Sequence, residues 1–505
     1  MKLFRPLFLV IVFSIIACGL VNAQKRNAIW CFGDSALVDF SDVSNIVTGT
    51  STVKSRGSCV SISDLVGNLI MYAFTRAGVN NNTTLLRNNQ DSLVQNGDSI
   101  VGEGWYRELV LIPYPQSDSL FILFTIGVTG SSQAGLYYSI VDMSLNGGLG
   151  EVIQKNVQLE NFKAVDCLSA VKHGNGRDWW VIFRRFNSVL SPNNDYYIYL
   201  VTSSGIISQP IQNVGLQNST NSGRISFNSS GENMCFINYK GLIELYDFDR
   251  CTGLISNPIT ISSESSMAPW PAYWSSEFSP SGNILYVSRI AENAADSSKL
   301  FQYDLTATNI SASKIALWVT PFVTTIAQLK QAPDNKIYIA TNFGQVYPYT
   351  DSMYNPINMN LSVINSPDNL GLACGLQPFS FNLGGKRCYS GLPNNPDYDM
   401  LALAGSPCDT LVGISEPQLT IINPQLHVYY HPQWQTAFIN ANQLKGTSCK
   451  LQVFDVMGNL VFEESTKFNP PYYTKNLNCT LLAKGMYVVT LEAGGKRLVK
   501  KFVVE

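Results

Sequence analysis

A serine, three histidines and a pair of aspartates are the residues of this 505-residue chain that could carry catalysis. Ser35, in Gly33-Asp34-Ser35, would be a nucleophile only beside a positioned base, and none of His173, His427 and His431 has an aspartate three residues before it. His427 and His431 stand four apart, a metal spacing on a helix, but Val428, Tyr429, Tyr430 and Pro432 around them favour a strand. No Cys-x-x-Cys pair suggests zinc, and no Asp-x-Asp-x-Asp-Gly loop suggests calcium. Asp397 and Asp399 are two apart in a Pro- and Asn-rich stretch. The sequence therefore names no catalytic residue, no cofactor and no metal ligand.

Ligand candidates are aromatic. Trp179 next to Trp180, and Trp270 with Tyr273 and Trp274, offer flat rings that stack on sugar faces, and Arg184 could hold a carboxylate. The same residue types also fill the space between packed sheets, so core packing is the competing reading of each. The run Met267–Trp274 precedes a strand pattern and is expected to be a loop.

The elements that would position these residues repeat. Ile225–Ile237, Glu277–Ser288 and Lys330–Thr341 each read apolar strand, tight polar turn, apolar strand, and looser copies fall at 61–74, 111–124 and 170–183. The turn centres lie near residues 66, 117, 175, 230, 281 and 334, separated by 51, 58, 55, 51 and 53 residues. Ser-Gly and Asp-Asn tolerate the positive φ of such turns, and β-branched and aromatic alternation marks half-buried strands. A further strand pair follows most hairpins, giving about four strands per unit, and that recurrence marks a β-propeller. Six units are visible. A seventh can be assembled from Ala28–Phe40 and Leu361–Leu383, closing the ring by pairing its two ends. The expected fold is all-β: a seven-bladed β-propeller over 24–390, with six or eight blades also fitting the spacing, then a linker at 391–418 and a small Ig-like β-sandwich at 419–505.

Ile29–Phe40, Gly135–Val152, Leu168–Ile182 and Glu277–Ser288 resemble a family of exported bacterial propellers. Trp30, Phe32, Gly33, Ala36, Asp39 and Phe40 match its opening motif. The resemblance covers roughly residues 28–383 and implies architecture without an assigned reaction.

Composition agrees with export. Charged residues make up 14% of the chain and the net charge is −2, so nothing favours nucleic acid or anionic lipid as a partner. Residues 1–23 have the parts of a secretory signal: Lys2 and Arg5, an apolar run from Leu7 to Ala17, and a small-residue exit that places cleavage between Ala23 and Gln24. Cys18 within Ile15-Ile16-Ala17-Cys18 resembles a lipoprotein box and keeps lipidation open as the other route. The apolar run is too short to span a bilayer, and no transmembrane segment is expected in the mature chain. Ten cysteines remain after the leader. Proximity suggests Cys374–Cys388 and Cys449–Cys479 as disulfides.

The last ninety or so residues carry the most specific pattern. Leu451–Val456 alternates, Met457-Gly458-Asn459 turns the chain, and Gly494-Gly495 joins two closing strands. Six or seven short strands in so short a stretch suggest a sandwich. The segment is similar to the type A C-terminal sorting domain of type IX secretion substrates at Val412-Gly413-Ile414, Gly458, Gly485, Tyr487 and the final Lys500, Lys501 and Phe502. Tyr429-Tyr430-His431-Pro432 departs from that family's first strand. The resemblance implies that the type IX translocon is a partner, that the tail is the sorting signal, and that the mature protein is secreted or attached to the outer membrane. Asp-Ser/Thr-apolar triplets at Ser92, Ser99, Ser119, Ser352 and Thr410 resemble the O-glycosylation acceptor of bacteria with this system.

The functional expectation is a secreted or cell-surface propeller that binds a protein or glycan without catalysis. Two other readings stay open: an extracellular hydrolase with its site in the central funnel, and a structural or adhesive surface component.

Overall fold

The computed structural model describes residues 25–76, 83–128, 133–343, 353–409, 425–432, 435–442, 444–468 and 473–504. Apart from three short 3-10 turns, its regular structure is β-strand, and no helix among the described residues is long and apolar enough to cross a membrane.

Seven antiparallel sheets follow one another along the chain. Their first strands are Ile29–Phe32, Cys59–Ser63, Leu109–Pro113, Ser169–Lys172, Gly223–Phe227, Tyr273–Phe278 and Thr324–Gln331. These strands line the axis, and most touch the first strand of a neighbouring sheet. Blades 3, 5, 6 and 7 have four strands, blade 4 has five, and blades 1 and 2 have three. The six repeating turns join first to second strands in blades 2 to 7. Each holds one residue at positive φ: Gly67, Gln116, Gly176, Gly231, Gly282 and Asn335.

Apolar cores fill the gaps between sheets in sequence around the ring. The gap between blades 7 and 1 is packed by Trp30 and Phe40 against Tyr338, with ring centroids 6.0 and 5.3 Å apart.

Closure differs from expectation. Ala28–Phe40 does not share a sheet with Leu361–Leu383. It belongs to a separate blade 1, made of Ile29–Phe32, Asp34–Asp39 and Val47–Lys54, while the later segment supplies the two outer strands of blade 7, Asn360–Ile364 and Leu376–Asn382. A clasp replaces the strand exchange. Asp34 N–H donates to Arg387 O at 2.9 Å, and the buried Arg387 guanidinium pairs with the Asp34 carboxylate at 3.2 Å. The Gly33-Asp34-Ser35 motif thus serves the seam between the two ends of the ring.

The expected linker is also different. Residues 389–401 thread the axial channel, with Tyr389, Ser390, Leu392, Asn395, Tyr398 and Met400 buried. Asn394 Nδ2 donates to Leu109 O (3.0 Å) and Leu168 O (2.9 Å). Asn395 Oδ1 accepts from Ser61 N–H (2.9 Å), and Tyr398 OH donates to Leu111 O (2.7 Å). Inner strands expose main-chain groups toward the axis that sheet pairing leaves over, and this segment satisfies them. Cys408 then forms a disulfide with Cys251, at the turn between the third and fourth strands of blade 5.

The expected disulfides are not formed: Cys374, Cys388, Cys449 and Cys479 are buried thiols. Cys388 Sγ instead donates to Thr341 O (3.1 Å) and Cys479 Sγ to Leu477 O (3.3 Å). Nearness in sequence misled because Cys408 reaches its partner across 157 residues.

After the ring, Gln425–His431, Thr436–Asn442 and Tyr473–Asn478 form one sheet of a sandwich, and Ser448–Phe454, Leu460–Lys467, Gly485–Ala493 and Lys496–Val504 form the other. Leu451, Val453, Tyr487, Leu491 and Phe502 lie in the core between them. Gly494 and Gly495, at φ 55° and 76°, make the two-residue hairpin.

Candidate functional site

The residues singled out as ligand contacts are mostly interior. Trp179 is buried edge-on to Tyr398, 6.0 Å between ring centroids. Arg184 is fully buried between Tyr196 and Phe236, 4.6 and 4.4 Å from their rings, and donates to Asn193 O at 3.0 Å. Tyr273 and Trp274 sit on the first strand of blade 6, where Trp274 Nε1 donates to Ser390 O in the axial segment at 3.1 Å. Trp270 is half-buried outside the strand, against Tyr239 and under Lys240. The five do not form one surface.

Among the sorting residues, Gly458 makes the turn after Ser448–Phe454 at φ 83°, and Tyr487 stacks on Phe502 at 5.5 Å. Gly485 opens its strand opposite Val504, while Lys500 and Lys501 are exposed. Ser92 and Ser99 are exposed on the loop after blade 2, and Ser119 is half-buried. Ala23, Gln24, Ser352, Thr410 and Val412-Gly413-Ile414 lie outside the described residues.

The structure assembles a different site, a funnel of about 600 Å³ at the end of the ring that carries the repeating turns. Arg224, Glu277 and Lys330 line its wall from the first strands of blades 5, 6 and 7, and Asp397 and Asp399 enter from the axial segment. Arg224 Nη2 pairs with Glu277 Oε2 at 2.9 Å, and Lys330 Nζ donates to Asn395 O at 2.8 Å. Burial pushes Lys330 down to about 8, with Glu277 opposing and Arg224 adding to the shift. Burial raises Glu277 against the pull of Arg224. Burial, then the neighbouring Asp397, pushes Asp399 up to about 7. A carboxyl poised near neutrality beside a second acid can exchange a proton or accept a ligand hydroxyl.

Sequence reasoning set Asp397 and Asp399 aside as linker residues and missed Arg224, Glu277 and Lys330. The available signal was Leu392, Tyr398 and Met400, three large apolar residues in a stretch otherwise rich in turn formers. A second cleft of about 580 Å³ lies between ring and sandwich, where Tyr429 faces Tyr114 at 6.1 Å and bonds to Ser203 O.

None of the curated proteins matches this chain. Solved structures similar to it include a putative 6-phosphogluconolactonase from Bacteroides uniformis, 11% identical, covering 73% of this chain and 98% of that one at a TM-score of 0.44. Another, from Bacteroides fragilis and described likewise, is 11% identical over 74% and 97%, TM-score 0.43. The β-propeller domain of Cps50 (Swd1) from Myceliophteria thermophila is 10% identical over 63% and 93%, TM-score 0.35. At this distance they carry no argument about activity. Residues 427–505 match the family described as the secretion system C-terminal sorting domain. The ring thus ends in a type IX sorting domain, which marks the protein for export, to be secreted or attached to the cell surface.

Proposed function

We propose that this is a non-catalytic binding protein of the cell exterior, whose ring presents a polar funnel to a protein or glycan ligand. In this reading the leader is cleaved between Ala23 and Gln24, and the translocon then reads the sandwich through Gly458, Gly485, Tyr487, Lys500, Lys501 and Phe502. One observation supports binding over turnover: the chain's own segment 389–401 occupies the ring's axis, so a ligand meets the funnel mouth and not a deep central chamber. The mouth combines amide, hydroxyl and carboxylate groups, including Asn228, Asn335 and Asp397, which suit hydroxyl-rich ligands.

The rival is an extracellular hydrolase, favoured by the Asp397–Asp399 pair and the raised pKa of Asp399. Screening the purified protein on glycans and on generic ester, glycoside and peptide substrates separates the two. Saturable binding without turnover is the expected result. Turnover abolished by Asp399→Asn overturns it.

A further inference from the structure

Deeper in the channel, four side chains at least nine-tenths buried offer polar groups without a partner: Arg107 Nε, Arg224 Nη1, Gln328 Nε2 and Ser390 Oγ. They come from four segments, three of which are tied by a hydrogen bond to Trp274 or Ser276 on one strand. Arg107 lies over the Trp274 ring at 5.4 Å and donates to Trp274 O at 2.5 Å. Arg224 donates to Ser276 O at 3.0 Å, two residues along the same strand, and to Leu329 O at 3.4 Å. Ser390 O accepts from the Trp274 indole. Gln328 Oε1 accepts from Leu392 N–H at 3.1 Å, two residues after Ser390, which commits the amide oxygen and leaves its NH₂ without a partner.

Arg107 Nε, Arg224 Nη1 and Gln328 Nε2 can only donate, so these three cannot satisfy one another, and the single Ser390 hydroxyl is too few acceptors for them. The nearby acids are already engaged. Asp166 accepts the main-chain N–H groups of Tyr106 (3.2 Å) and Arg107 (2.7 Å), and Glu277 holds the other end of Arg224. The two guanidiniums also repel each other: Arg107 is pushed down to about 10 by burial and then by Arg224, against the pull of Asp166. Buried donors left over beside two guanidiniums in a dry wall call for a negatively charged acceptor.

We propose that the channel wall at Trp274 is a binding site for one small inorganic anion, a halide or a tetrahedral oxyanion, held by Arg107, Arg224, Gln328 and Ser390. Arg224 also lines the funnel, which gives the anion its route to solvent.

The test uses the full chain, dialysed into a zwitterionic buffer and titrated with sodium bromide, phosphate or sulfate while its melting temperature is followed. A saturating rise is expected, together with bromide anomalous density within hydrogen-bond distance of Arg224 Nη1. A response to bromide assigns a halide, and one confined to phosphate and sulfate assigns an oxyanion. Gln328→Glu keeps an acceptor for Leu392 N–H and puts a fixed carboxylate where the anion belongs. It should weaken anion binding about tenfold or more, and melt no lower than wild type in the anion-free buffer. Ser390→Ala removes a hydroxyl without a protein partner and should weaken binding about three- to tenfold while leaving the anion-free melting temperature unchanged. Water alone at the four groups, or a Gln328→Glu protein that melts lower in every buffer and keeps the wild-type anion response, overturns the proposal.

Discussion

The ring and the sandwich cover the apolar faces of their β-sheets in different ways. In the ring every sheet lies between two others, and the axis they surround is filled by residues 389–401. In the sandwich two sheets cover each other on one face only, and the outer strands Leu460–Lys467 and Lys496–Val504 stay on the edge. Those edges carry Glu463, Glu464, Lys467, Lys496, Arg497, Lys500 and Lys501, the charges that deter chance strand pairing. The sandwich has its own core and touches the ring at Tyr429. One region is a ring around a filled axis and the other a module with its own core and charged edges, which suits a cargo and its address.

The sharpest way to break this contrast is to remove the module. Deleting residues 427–505 should reduce surface display about tenfold or more while leaving a ring that melts within a few degrees of the whole chain. Fractionation with surface proteolysis measures the first, and calorimetry the second. A ring that no longer folds would show the two regions to be one body.

Within the ring, Trp274→Ala should cost about 3–5 kcal/mol, because it empties a buried indole site, leaves Ser390 O without its indole donor and removes the ring under Arg107. Denaturant unfolding reads this directly. Cys408→Ser should cost about 2–4 kcal/mol, and under reductant wild type should fall to the same value. Stability unmoved by either treatment would mean the axial segment holds without its staple.

Asp399 sharpens the picture through pH. Its carboxyl, raised to about 7 by burial and by Asp397, keeps a proton in the folded ring where the unfolded chain has lost it. The folded state then binds more protons between roughly pH 4 and 7, so this group's contribution is full at the acid end and is lost as pH rises through that window. Asp399→Asn should flatten that part of the stability–pH curve. The smallest effect belongs to Trp270→Ala at about 1 kcal/mol or less, since its ring is half in solvent. A large loss of ligand binding in that variant would return the aromatic loop to the candidate site.

The six repeating hairpins of blades 2 to 7 and the two-sheet tail were legible in the chain because each rests on local rules, alternation every second residue and turn residues at positive φ, whereas the make-up of blade 1 was not. Gly231, Gly282 and Asn335 announce their turns without reference to anything distant. The sorting pattern was legible for the same reason, as a run of neighbouring strands at one end.

Long-range pairings left no such trace. Asp34 with Arg387, Cys251 with Cys408 and Asn394 with the inner strands join positions that no periodicity connects. A stretch without alternation looks like linker whether it lies in water or in a channel. What sets it inside is the row of main-chain groups that the closed ring turns toward its own axis.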